Sequence, residues 1–276
     1  MRLKTSLVIL SLIFSLSALN GCTQNPPQAM IGYVNTDKLP EASEAVSPIK
    51  QQALREVAMT LGAQGALAWQ AEHIDNALQE ESVYLDHIFN FNLILINNNV
   101  LPPVLAEADQ TLSLSSDNAL RLANKTYELI APARFVTTPP TWRTYLWLNF
   151  KKPSLPHNSL LPHNRAESVV WNQYLQEGWQ QGLRQADAIF ASNLARLKRD
   201  YVGMVLYRKL LEQGMVSAPF IAKADLGITG DAHQIRIDDQ IIRITSNSEL
   251  QPDAKKWKPI IAKPDNDLNH GVITNE

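Results

Sequence analysis

Six histidines, one cysteine and two adjacent carboxylate pairs are the residues in this 276-residue chain whose types could do chemistry. His157 and His163 flank "NSLLP" in a proline-rich stretch, and two imidazoles in one loop could meet a metal ion. A zinc site needs at least one further ligand, with hydrogen bonds behind the ligands to hold them rigid. This stretch offers neither, so a solvated loop is the expectation and no metal is assigned. His73 and His87 lie close to four helical turns apart, too far to share an ion on one straight helix. His233 and His270 stand alone. Glu80-Glu81 and Asp238-Asp239 are neighbours in sequence only. Adjacent residues on a helix or hairpin do not converge on one substrate, so a turn or a solvated face is the plainer reading. The chain has no G-x-S-x-G elbow, no H-E-x-x-H helix, no P-loop and no glycine-rich dinucleotide turn. No catalytic residue and no cofactor is expected, and the chain does not read as an enzyme.

Cys22 is the one cysteine, and it follows an apolar run at the N-terminus. Arg2 and Lys4 give a positive start, Leu7 to Leu19 form the apolar segment, and small residues lead to the break point, as in a secretory signal. The apolar segment is short for a permanent membrane span. "Leu19-Asn20-Gly21-Cys22" resembles the lipobox of bacterial lipoproteins, in which the thiol is acylated. Stable anchoring takes more than one acyl chain, since each buried CH₂ contributes roughly 0.8 kcal/mol. Residues 1–21 are therefore expected to be a lipoprotein signal peptide and Cys22 the lipidation site. Thr23 follows the cysteine, not the aspartate that retains many such proteins in the inner membrane. The expected place is the outer membrane, facing the periplasm. Loss of residues 1–21 would leave 23 basic against 27 acidic groups, a formal charge of −4. That balance disfavours nucleic acid, which needs a basic footprint. One cysteine allows no internal disulfide, so about 255 residues must fold by packing alone.

Large aromatic side chains carry the stronger signal. "Trp142-Arg143-Thr144-Tyr145-Leu146-Trp147" sets three rings and an arginine in six residues after a double proline, and Trp171 and Trp179 follow on a helical pattern. Two readings stay open for these residues. They pack a core, or Trp142, Arg143, Tyr145, Trp147, Trp171 and Trp179 anchor a protein-docking surface, where Trp, Tyr and Arg are enriched.

The elements that must position them come in blocks. Residues 22–46 are polar and proline-containing, a lipidated N-terminus and flexible tether. From Ser47-Pro48, a plausible cap and first helical position, apolar residues recur at helical spacing as far as Phe89. Gly62 and Gly65 leave open one long helix or two. Leu93 to Ile96 read as a buried helix end before a turn, and Pro102-Pro103 end any helix. Residues 103–137 alternate with period two, with Ser-Ser-Asp-Asn and Asn124-Lys125 as turns between short antiparallel strands. A short aromatic helix follows Pro139-Pro140, then a proline-rich loop over 151–164. The strongest helix runs from Arg165 to a stop at Gly214. Within it Gly178 and Gly182 cost helix propensity, so a neighbouring element should approach closely there. "IRIDDQIIRI" reads as a hairpin with Asp-Asp-Gln at its turn. No solenoid repeat occurs. The expected class is α+β: long amphipathic helices plus a small antiparallel sheet and a C-terminal β-hairpin, in one domain over 47–261 with a polar tail at 262–276.

Several strings are similar to a single family. "NNNVLPPVL" (98–105), "ARFVTTPPTWRTYLW" (133–147), "VWNQYLQEGWQQG" (170–182), "RDYVGMVLYRKLL" (199–211), "GMVSAPFIAKADLGITGD" (214–231) and "IRIDDQIIRIT" (235–245) resemble the DotC lipoproteins of type IVB secretion systems. They equally resemble the counterpart in conjugation systems of IncI-type plasmids, called TraI there. The similarity covers roughly residues 85–261. It implies a non-catalytic lipoprotein of the transenvelope core complex, present in many copies in a ring. It also implies two partners, a DotD-like lipoprotein and a DotH-like channel subunit that it helps to reach the outer membrane. Only the acylated cysteine transfers residue by residue, to Cys22. The competing reading is a periplasmic lipoprotein that binds or hydrolyses cell-wall material through the His157/His163 loop.

Overall fold

A computed structural model describes residues 39–41, 46–97, 99–116 and 119–258. The expected signal peptide, Cys22 and the polar tail lie outside the described residues, as does most of the tether. Four helices are named here: α1 (Pro48–Glu80), α2 (Ser82–Ile88), α3 (Trp142–Leu146) and α4 (Arg165–Glu212). Six strands form three separate two-stranded antiparallel sheets. β1 (Val100–Leu101) pairs with β4 (Arg134–Phe135), β2 (Val104–Ser116) with β3 (Ala119–Ala131), and β5 (Phe220–Gly230) with β6 (Ile235–Ser246). Long helices with antiparallel strands make the chain α+β, and the last pair is the C-terminal hairpin. By its contacts the chain divides into two compact units, and the division falls inside α4, after Ser192.

The first unit holds α1, residues Trp147–Ser192 and therefore the beginning of α4. Ser47 caps α1 by accepting the Lys50 N–H at 3.4 Å, with Pro48 at the first helical position. α1 is one unbroken helix through Gly62 and Gly65, both buried. Their role is contact. A Cβ on Gly62 would lie 2.3 Å from the Leu175 carbonyl oxygen, one on Gly178 would lie 2.1 Å from that of Met59, and one on Gly182 would lie 2.2 Å from that of Ala63. α1 and α4 thus meet backbone to backbone, as the spacing of Gly178 and Gly182 suggests. Beside this seam Leu54, Ala58, Leu61, Trp171 and Leu175 form a buried cluster. α4 opens on a reciprocal cap: Asn164 accepts the Glu167 N–H at 2.8 Å, and the Glu167 carboxylate accepts the His163 N–H at 2.9 Å.

The second unit holds residues Val83–Leu146 and the chain from Asn193 onward. The base of β2 packs on α4, where a Cβ on Gly203 would lie 2.6 Å from the Leu105 carbonyl oxygen. Leu105, Tyr207, Leu210 and Val216 form the cluster beneath it, with Tyr127 and Leu129 of β3 against it. The buried stripe of α4 here passes through Leu197, Met204 and Tyr207, while Val205, expected on it, is exposed. α4 stops where Gly214 takes a φ of +68°. There the Gly214 N–H reaches the Leu211 carbonyl at 3.0 Å and the Met215 N–H reaches that of Leu210 at 2.9 Å, a Schellman closure.

Two turn assignments are corrected. Asn124-Lys125 is no turn, because β3 continues through it and Lys125 pairs with Asp109 across the ladder. Asp238-Asp239 is no turn either. β6 runs through both, and the reversal lies at 231–234, where the Asp231 carboxylate accepts the His233 and Gln234 N–H groups at 2.8 and 3.0 Å. Asp238 instead has a φ of +56° beside a register shift opposite Gly227, which is also left-handed at +73°. Residues that favour turns serve equally at a bulge, since both need a positive φ.

Candidate functional site

Four of the six aromatic candidates lie in the interior. Trp142, Tyr145, Trp171 and Trp179 are all buried, so none offers a face to a partner. In the second unit the Trp142 indole N–H donates to the Asp86 carboxylate at 2.7 Å, and Arg143 bonds the same oxygen at 2.7 Å while its guanidinium lies 4.2 Å from the Trp142 ring centre. Arg143 holds the Asp86 carboxyl below its ordinary range. The Tyr145 hydroxyl donates to Asp200 at 3.2 Å, and its ring stacks on Phe91 at 5.8 Å between centroids. Burial, and then the Asp200 charge, push the Tyr145 phenol up to about 12. Phe89 and Phe91 each meet Tyr201 edge to face at 5.3 and 5.2 Å. In the first unit Trp179 packs against Trp69 at 5.8 Å. Trp147 is the one ring of the six left exposed.

The histidine loop is local structure. His157 caps a single 3₁₀ turn, Asn158–Leu160, and its Nδ1 accepts the Ser159 N–H at 3.3 Å and lies 3.0 Å from the Ser159 hydroxyl. Among the described residues no three His, Cys, Asp or Glu side chains could hold a metal ion. Two open grooves exist, of about 480 and 320 Å³, both in the first unit, and the larger is lined mainly by glutamines of α4. No described helix is long and apolar enough to cross a membrane.

The surface that stands out came from the alternating segments. Beyond its packed base, the β2–β3 hairpin projects with Leu112 opposite Leu122 and Leu114 opposite Leu120. Cross-strand partners and residues two apart share a face, so these four leucines form one patch, each 57–81% exposed. Gln110, at a φ of +51°, bends β2 just before it. The β5–β6 hairpin repeats the theme with isoleucine. No residue of either strand is buried. Ile235 pairs with Gly230, which puts Ile228, Ile235 and Ile237 on one face, each 69–73% exposed. The Thr229 hydroxyl donates to Asp239 across the strands and pins the bulge.

Two-stranded ribbons are marginal in water, and their open edges and apolar faces invite pairing. Each such side chain contributes roughly 1.5–3 kcal/mol when fully covered. Period two in the sequence located these residues but could not reveal that no cover exists within the chain. The two tips are the docking surface, and their chemistry is association.

None of the curated proteins matches this chain. A family model, TraI of the type IV secretory system, described as conjugal DNA-protein transfer, matches residues 48–259, the span from the cap of α1 past the C-terminal hairpin, and the chain belongs to that family.

Proposed function

We propose that the chain is an outer-membrane lipoprotein, acylated at Cys22 and facing the periplasm, that serves as a non-catalytic component of a type IVB secretion or conjugation core complex. In this reading it works beside a DotD-like lipoprotein and assists a DotH-like channel subunit to assemble and reach the outer membrane. The observation that supports it most is the pair of projecting hairpins, whose exposed Leu and Ile faces suit association and no chemistry. Membership of a family of conjugal transfer supports the same direction.

The test is acylation with localisation. Labelled palmitate is expected to enter the parent chain and not Cys22→Ser, and the variant is expected to leave the outer-membrane fraction and lose transfer. A parent chain without label, recovered wholly soluble, refutes the proposal. The cell-wall reading is separated by a second variant. His157→Ala with His163→Ala should leave transfer intact here and abolish it there.

A further inference from the structure

We propose that the β2–β3 tip of one copy docks face to face on the β5–β6 tip of the next copy, leucines on isoleucines. The inference deepens the assembly role proposed above and rests on it. Both tips belong to one chain, each is a two-stranded ribbon, and each presents a single apolar face. A contact between unlike tips covers both liabilities with no third component. Because the joined surfaces differ, the contact is heterologous, and it closes into a ring when the rotation permits.

Shape favours unlike over like. The leucine face is two directly opposed pairs. On the isoleucine face, Gly230 carries no side chain opposite Ile235, which leaves a notch where a leucine can seat. Charge points the same way. Residues 226–239 carry Asp231, Asp238 and Asp239 against Arg236, whereas in residues 110–124 Arg121 and Asp117 cancel. Two β5–β6 tips therefore repel each other, and a β5–β6 tip meeting a β2–β3 tip does not.

Each tip face is about 20 Å long and about 10 Å wide from strand geometry, so roughly 200 Å² per partner, well short of the ~800 Å² per partner of a standard interface. One contact is weak. Two per copy, at the local concentration that a membrane anchor imposes, reinforce each other.

The parent chain has a single cysteine, which makes disulfide trapping clean. Full-length Leu114→Cys and Ile237→Cys chains are produced separately and together in the cell envelope, then oxidised. The expected result is a linked dimer severalfold more abundant when both are present than with either alone. Dimers from one variant by itself mean that like pairs with like, and they overturn the proposal. Failure to trap any dimer, repeated with Leu120→Cys and Ile235→Cys in exported, folded chains, overturns it too. An oxidised dimer of the parent reports a free Cys22, which refutes the lipid anchor instead. The tip assay is then read on Cys22→Ser chains.

Discussion

A methyl group at Gly178 has nowhere to go, because the Met59 carbonyl oxygen would stand 2.1 Å from it. Alanine is worth about 1 kcal/mol more than glycine inside a helix, so propensity alone favours the substitution. Forcing two helix backbones apart costs more, typically 1–3 kcal/mol and above. Gly178→Ala should therefore lower stability by about 1–3 kcal/mol, read as a drop in Tm by circular dichroism. An unchanged or raised Tm would remove the seam from the account. Tyr145 gives a second test, through pH. Its folded-state phenol is raised from 10.0 to about 12, first by burial and then by Asp200. A raised folded value means the contribution is complete below pH 10 and is lost as pH climbs toward about 12. Tyr145→Phe removes one hydrogen bond, roughly 0.5–1.5 kcal/mol at neutral pH. The gap between parent and variant, measured by urea unfolding, should narrow across that alkaline window. A constant gap would contradict the burial. At this scale the glycines were legible because two of them inside a strong helix demand a reason. The buried aromatics were not, since the Asp86 partner of Trp142 lies 56 residues away and a ring reads the same in a core or on a surface.

Elements, rather than single residues, divide stability from function here. The base of the β2–β3 hairpin is tied to α4 through Leu105, Tyr127 and Leu129, while its tip touches nothing that holds the unit together. Leu114→Ser with Leu120→Ser should leave unfolding within about 0.5 kcal/mol of the parent, as for ordinary surface changes, yet impair transfer. A large fall in stability would mean that the tip is structural. Transfer at the parent level would mean that the patch has no partner. The helices could be read closely from the sequence, because Ser47-Pro48 and Gly214 are end signals with a local mechanism. Strands were harder. Alternation located them, but Asn124-Lys125 and Asp238-Asp239 were assigned to turns because Asn and Asp tolerate φ values that bulges also use. Burial defeated the pattern altogether. A period of two announces an apolar face, and only the fold reveals whether anything within the chain covers it.

For the whole molecule, the family name raises the question of DNA, since it speaks of conjugal DNA-protein transfer. Charge answers it. The chain is at −2 overall and would be at −4 without residues 1–21. DNA binding without sequence preference comes from lysine and arginine displacing counterions at about 6–10 phosphates, and weakens steeply with salt. The densest basic run is Lys255-Lys256-Trp257-Lys258. It is tied down at both ends, by the Trp257 indole N–H donating to Gln251 at 2.9 Å and the Lys258 N–H to Gln213 at 2.8 Å. Three lysines reach about three phosphates at most, too few to offset an acidic remainder. Neither single- nor double-stranded DNA should be retarded by the purified chain in a gel at low salt. A complex that dissolves on adding salt, and disappears in Lys255→Gln with Lys256→Gln, would mean that this protein touches the transferred strand. Its place in conjugation would then be on the substrate's path rather than in the frame around it.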